Sequence, residues 1–437
     1  MFGDGGLVEQ AKKTREDAKN MVTEGSDSMN ELLAEYANIM AGDSGIENPN
    51  INDIENPDQN EIVDPGPSTD PDEPDEPDPD PTVPEGWDEE KVDVVESQDG
   101  KKVPIPKGYV ASQATKENVV NGGLVIYEGT QEVNDSNVAT ARTSRNQYVW
   151  VPVDDITKVA KTTGGVDIEG RTNYQGKLYN FSNTGATEIS GYGVGTNNFR
   201  EPDMVSSTSE DNNTSNMNIL GLASGNALKQ QLQLDYNEII ASIDKYGGFY
   251  IGRYETGNVN RSISEPVVVK GNGSISNASW YYMYRNIRSL PANGNVKTTM
   301  IYGSLWDGTL LWLGETNKST NGQYGKSYSD IVNSSNWGNY TTTSGGTGTR
   351  QTAGNSDAWK ANNIYDMAGN VLDWTVEAKG DVYRIPRGGC YYYESSYGAG
   401  NRTVEFANAS YVSGYLRARP SNYYNHLGSR AMLWIVP

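Results

Sequence analysis

The chain has 437 residues, enough for two or three average domains or one large domain with appendages. Its net charge of −22 is concentrated: residues 41–100 hold 21 of the 57 acidic side chains and one basic one, Lys91, leaving 36 acids against 34 bases elsewhere. That near-neutral remainder lacks the clustered Lys and Arg that phosphate binding needs, which argues against nucleic acid and against an anionic membrane surface as partners. A single cysteine, Cys390, excludes an intrachain disulfide, and with a single histidine, His426, it leaves few ligands for transition-metal chemistry.

In chain order, residues 1–42 read as a helical segment. Leu7, Ala11, Ala18, Val22, Met29, Leu32, Tyr36 and Met40 fall on one stripe at spacings near three and four, with a weak point at Gly25-Ser26. The stripe has no local partner, so it reads as an attachment or self-association surface that would give a homo-oligomer, with docking on the main domain as the alternative. Residues 43–102 read as a spacer: ten of the 19 prolines lie between Pro49 and Pro84, alternating with acids in "PDEPDEPDPDP". Fixed backbone and like-charge repulsion keep such a segment extended and solvated. No run of about 18 apolar residues occurs, so no membrane span is expected. The first residues also lack the charged and apolar regions of a secretory signal, so any anchor or targeting segment is expected outside this sequence.

Residues 103–437 are rich in Gly, Ser, Thr, Asn, Tyr and Trp, with short apolar runs at 147–153 ("QYVWVPV") and 247–255 ("GGFYIGRYE") that read as strands. Helical patterns cover 227–243 and 303–315. The expected fold class is therefore α+β. Toward the C-terminus, eight of the 28 tyrosines fall between residues 391 and 425, in "RGGCYYYESSYGAGN" and "SNYYNH" among others. Their neighbours are Ser, Gly, Asn and Glu rather than Leu, Ile or Val. That palette belongs to contact surfaces, because Tyr offers rigid amphipathic area at low entropic cost. The expected ligand-binding set is Tyr391, Tyr392, Tyr393, Glu394, Ser395, Ser396, Tyr397, Asn401, Ser421, Asn422, Tyr423, Tyr424, Asn425 and His426; Tyr411 and Tyr415 are the members most readily read as core. Six arginines, 384, 387, 402, 417, 419 and 430, punctuate the same region. They suit anionic ligands, but Arg387 and Arg430 are read as scaffold.

"NIYDMAGNVLDWTVEA" (363–378), "RIPRGGCYYY" (384–393) and "LGSRAMLWIV" (427–436), together with "FYIGRYETG" (249–257), resemble in order and spacing the formylglycine-generating enzyme/sulfatase-modifying-factor family. The resemblance covers about 103–437. It implies an elaborated C-type lectin fold, with Trp374, Arg387, Gly388, Gly389 and Arg430 as scaffold. It also implies a structural Ca²⁺ carried over to Asn370 and Asp373, where Asp stands in place of the family's longer Glu. The cysteine pair that holds copper in catalytic members, and the histidines of their iron-dependent relatives, have no counterparts here, so no catalytic residue and no required cofactor are expected. The same stretch is similar to lectin-fold proteins diversified by retroelements, whose adenine-directed changes turn an AAC codon toward Tyr, Asp, His, Ser, Thr or Ile. "MFGDGGLVEQAKKTREDAKN" resembles the region after the hydrophobic helix of type IV prepilin-like proteins. The expectation is a non-enzymatic, extracellular, cell-surface adhesin-type protein that binds a protein or glycan on another cell, phage or host surface. The alternatives are a pilus-like structural subunit and a metal-dependent oxidase.

Overall fold

Near-continuous apolar runs form the centre of the molecule. In the computed structural model, residues 83–437 are described, apart from 190–198, 202–209, 259–264, 291–292, 344, 381–382, 404 and 407–415. The helix and most of the spacer expected over 1–102 fall outside the described residues, as do Tyr411 and Tyr415. All described residues belong to one unit, Asp78–Pro437. Its elements are mixed α and β, and among the described residues no helix is long and apolar enough to cross a membrane.

The labelled strands are β1 Val92–Glu96, β2 Lys102–Pro106, β3 Tyr109–Ala111, β4 Val125–Glu128, β5 Gln147–Pro152, β6 Phe199–Arg200, β7 Gly248–Gly252, β8 Val296–Met300, β9 Leu372–Lys379, β10 Tyr383–Arg387, β11 Leu427–Ser429 and β12 Ala431–Ile435. The helices are α1 Thr214–Leu220, α2 Gly225–Tyr246, α3 Trp280–Ile287 and α4 Gly303–Ser319. An antiparallel sheet runs β8-β12-β7-β5-β4-β3. Its inner strands β5, β7 and β12 are buried on both faces, which explains why they read as continuous apolar runs instead of alternating ones. Trp150 and Tyr250 face each other across β5 and β7 with ring centroids 4.9 Å apart.

Helix α2 packs on β7 and β12. Leu228, Leu232, Tyr236, Ile239, Ile240 and Ile243, at the three-and-four spacing of one helix face, are all buried. Each of the aliphatic side chains contributes about 1.5–3 kcal/mol by leaving water. The helix begins at Ser224, whose hydroxyl accepts from the Ala227 N–H, and ends at Gly247, left-handed at φ +82°, whose N–H donates to the Ile243 carbonyl.

One boundary differs from the sequence reading. Strand β1 pairs with β2, and Val92, Val103 and Ile105 join the core, so the folded unit starts before residue 103. The acids from Glu85 to Glu90, which lie in turns just before β1, and the exposed Asp93 on it make the strand read as spacer.

A second sheet carries the C-terminal motifs. β6 and β10 flank β9 antiparallel, and β11 joins β9 in parallel. In register, Asp373 lies between Arg387 of β10 and Gly428 of β11. Three motifs that are far apart in sequence thus meet at one point.

Candidate functional site

The underside of the site is a set of buried ion pairs. Arg387, at the end of β10, donates to Asp307 of α4 at 2.6 Å and to Glu377 of β9 at 3.2 Å. Arg402 pairs with the same two carboxylates, reaching Glu377 at 2.7 Å and also Asp307. All four side chains are buried. Arg387 further donates to the Asn401 carbonyl at 3.0 Å, and Arg402 to the Tyr179 carbonyl at 2.6 Å, so the guanidinium groups also fix backbone. Glu201, preceding this group, accepts the first N–H groups of α4, from Gly303 and from Ser304 at 2.6 Å. Burial, with Glu377 nearby, pushes its carboxyl up to about 8.

Arg430 has the same character. It donates to Asp373 at 3.0 Å, to the Gly252 carbonyl at 3.0 Å and to the Tyr365 carbonyl at 2.8 Å. Arg384 is buried, lies 3.6 Å from Asp211 and stacks on Trp280 at 4.6 Å. Arg419 alone of those described is well exposed, and it pairs with Glu210 at 3.5 Å; the Arg417 side chain lies outside the described residues. The anion-binding alternative for these arginines therefore gives way to internal pairing at 384, 387, 402 and 430.

The chain leaves β10 through Gly388 and Gly389, both left-handed (φ +88° and +69°). A Cβ on Gly389 would collide with the Tyr397 carbonyl and the Tyr340 ring, so glycine is required. The Tyr340 hydroxyl donates to the Gly388 carbonyl at 2.6 Å and lies 3.0 Å from that of Tyr397. Beyond it, residues 390–401 are irregular but pinned. The Tyr391 N–H donates to Asn370 O, Thr341 N–H to Tyr393 O, Ser334 N–H to Ser395 O and Gly400 N–H to Ile331 O, each at 2.9–3.0 Å.

The second polar-aromatic segment arrives from the opposite direction. The Tyr424 carbonyl accepts from Asn277 N–H at 3.0 Å, His426 O accepts from Leu372 N–H at 2.8 Å, and Asn425 O accepts from the Arg350 guanidinium at 3.0 Å. The two segments then touch. The ring of His426 stacks on Tyr424 (5.3 Å, 9°) and meets Tyr392 edge-on (5.0 Å, 87°). Tyr392 in turn meets Tyr391 at 5.2 Å and Tyr393 at 4.9 Å, and Tyr393 meets Tyr397 at 4.7 Å. Six rings form one array.

Exposure divides the expected set. Glu394, Ser396, Tyr397, Tyr423 and Asn425 are exposed, with Tyr423 at 65 % and Tyr397 at 41 %. Tyr391, Tyr392, Asn401, Ser421, Asn422 and Tyr424 are half-buried. Tyr393, Ser395 and His426 are buried and correct the expectation that they face a ligand. The Tyr393 ring packs into the core, and the Ser395 backbone is tied to Thr342 and Ser334. His426 is roofed by Tyr392 and Tyr424, and its desolvation pulls the imidazole down to about 4. Burial also raises the phenols of Tyr391, Tyr392 and Tyr424 and pushes the Cys390 thiol up to about 12. At neutral pH the array is uncharged: a face of rings and hydroxyls suited to noncovalent contact.

The expected calcium donors have other partners. The Asn370 amide donates to Glu255 at 2.7 Å and its oxygen accepts from the Gln351 N–H at 2.9 Å, while Asp373 is held by Arg430. Among the described residues no group of three or more His, Cys, Asp or Glu side chains is arranged to hold a metal ion. Asp307, Tyr340 and Arg350 carry no signal in the sequence because each acts across a long separation in the chain, whereas Glu377 lies within the 363–378 motif, ten residues before Arg387.

No family model matches the chain. No curated protein matches it either. Among solved structures, Treponema denticola variable protein 1 is similar at 14 % identity, over 68 % of this chain and 97 % of that one, with a TM-score of 0.24.

Proposed function

We propose that residues 103–437, with the β1–β2 hairpin, form a ligand-binding head of elaborated C-type lectin type. Its contact face is the tyrosine array and the polar side chains around it. One observation carries this reading: two Tyr/Ser/Asn segments some twenty-five residues apart converge on a single ring array, in which Tyr397 is exposed and Tyr391 half-exposed, next to a fixed ionic base. Rings supply apolar area, and the Ser, Asn and Tyr polar groups orient the ligand. Within this reading the ligand is a protein or glycan on another surface and the head acts at the cell exterior as an adhesin-type receptor. Retroelement-directed variation would fall on Tyr391, Glu394, Ser396, Tyr397, Asn422, Tyr423 and Asn425, side chains that can change without disturbing the arginine base.

The test uses the full chain and a double variant, Tyr391→Ser with Tyr397→Ser, on one array of glycans and one of bacterial surface proteins. The expected result is at least one feature bound by the native chain and lost in the variant, with an unchanged melting temperature. Features bound equally by both, or by neither, overturn the reading. The diversification element has its own check: DNA beside the coding sequence is expected to hold a reverse-transcriptase gene and a near-copy of the segment for 391–426 that differs at adenines.

A further inference from the structure

Beside the array, on the Ser396–Asn401 side, lies a cleft of about 340 Å³. Asn180 and Phe181, on the strand Tyr179–Ser182, and Phe199 of β6 form one wall. Ser396, Asn401 and Arg402, from the loop after β10, form the other. Two of the chain's five phenylalanines thus stand half-buried in one cleft. Their rings are held from outside it. Phe181 stacks on Tyr328 at 6.4 Å, and Phe199 has the cationic groups of Lys379 and Arg402 at 4.9 Å and 5.4 Å from its centroid.

The cleft offers a ligand no free charge. No Asp, Glu or Lys lines it. Arg402 is the one ionic group, and each of its nitrogens already donates to a protein oxygen: Nε to Glu377, the other two to the Tyr179 carbonyl and to Asp307. The polar groups in reach of water are neutral. Among the described residues, the exposed side chains of Asn180 and Ser396 have no hydrogen-bond partner within the protein. The Asn401 amide oxygen accepts from the Thr403 hydroxyl at 3.1 Å, which leaves its amide nitrogen with two protons to donate.

These materials discriminate between ligand classes. An anion needs an uncommitted cation. An apolar side chain would strip the two amides and the hydroxyl of water without replacing it, at about 1–3 kcal/mol for each group left unpaired. A pyranose ring meets both requirements: it has an apolar C–H face to lie on an aromatic ring and a rim of hydroxyls that donate and accept. Apolar walls with a few convergent polar groups, at the lower end of the range of about 300–1,000 Å³, are the usual form of a small-molecule site.

We propose that this cleft binds one neutral pyranose unit of a glycan. The C–H face lies against Phe181 and Phe199, and the hydroxyls bond to the Asn180 amide, the Ser396 hydroxyl and the Asn401 amide nitrogen. This selects glycan over protein for one edge of the surface proposed above and rests on that surface being a contact face.

The probes are the methyl glycosides of glucose, galactose, mannose and N-acetylglucosamine, with methyl glucuronide and acetyl-phenylalanine amide as the charged and apolar alternatives. Each is titrated into the full chain to about 20 mM and followed by saturation-transfer NMR, because a single small site gives a Kd on the order of 1 mM. At least one neutral glycoside is expected to bind, and Asn180→Ala to weaken it at least about fivefold, a difference of about 1 kcal/mol. Phe181→Leu keeps apolar packing against Tyr328 but removes the flat ring, and a similar loss is expected, with the melting temperature of both variants close to that of the native chain. Absence of glycoside binding, indifference to either variant, or binding of the glucuronide or the phenylalanine amide at least as tight as the best glycoside each overturns the assignment. The Tyr391/Tyr397 double variant separates the two readings. Glycoside binding that is absent while the arrays still show tyrosine-dependent features removes the cleft alone. Arrays without such features, beside glycoside binding that responds to Asn180→Ala, remove the tyrosine face alone.

Discussion

The base and the face of the site are built from opposite materials. Below, Arg387, Arg402, Asp307 and Glu377 are charged, buried and mutually paired. Above, Tyr391, Tyr392, Tyr397 and Tyr424 are neutral, ring-stacked and open in part to water. A buried ion network tolerates little change, because removing one member strands the others in a low-dielectric interior. A half-exposed ring tolerates much, because water replaces whatever it loses. Division of labour between shape and recognition follows from that asymmetry.

The largest expected effect breaks the base. Arg387→Ala leaves Asp307 and Glu377 to share Arg402 alone, and a loss of about 3–5 kcal/mol is expected in urea unfolding, a large share of the stability of an ordinary domain. Next, Tyr393→Ala probes the array tyrosine that belongs to the core. It is expected to cost about 3 kcal/mol, whereas Tyr397→Ser on its neighbour stays within about 0.5 kcal/mol. Equal costs would erase the distinction between base and face.

Acidity sharpens the same contrast with opposite signs. The Glu201 carboxyl is raised by burial from 4.5 to about 8, so its contribution to stability is fully present below pH 4.5 and is lost as pH climbs toward 8. The imidazole of His426 is lowered from 6.5 to about 4, so its contribution is present above pH 6.5 and is lost as pH falls toward 4. Melting curves across this range are expected to show Glu201→Gln gaining on the native chain as pH rises, and His426→Asn gaining on it as pH falls. Parallel curves for either pair would mean that the group titrates alike in both states. The smallest expected effect is Tyr423→Ser, a shift within about 0.5 kcal/mol read as melting temperature, since this ring is mostly in water.

Regular elements are legible in the sequence because they repeat. "QYVWVP" becomes β5, "ALKQQLQLDYNEIIASI" lies within α2, and 303–315 lies within α4. Residues 391–426 have no period to read: their described parts are turns and two-residue strands, where a residue's burial depends on which distant backbone group it meets. That is why Tyr393, Ser395 and His426 cannot be told from their exposed neighbours by composition. Asn370 and Asp373 show the same weakness in the choice of partner. An amide and a carboxylate suit a calcium ion or a neighbouring Glu and Arg equally well, and only the fold brings Glu255 and Arg430 within reach. Strand β1 escapes a reading by pattern because acids surround a "VDVV" core too short to stand out.

The main-chain ties of residues 390–401 have a practical corollary. Because the path of this loop is dictated by amide and carbonyl contacts to 331–343 and 370, the identities of Tyr391, Glu394, Ser396 and Tyr397 are decoupled from it. Those four positions are ready-made sites for a combinatorial library, in which most clones are expected to fold and to differ only in what they hold.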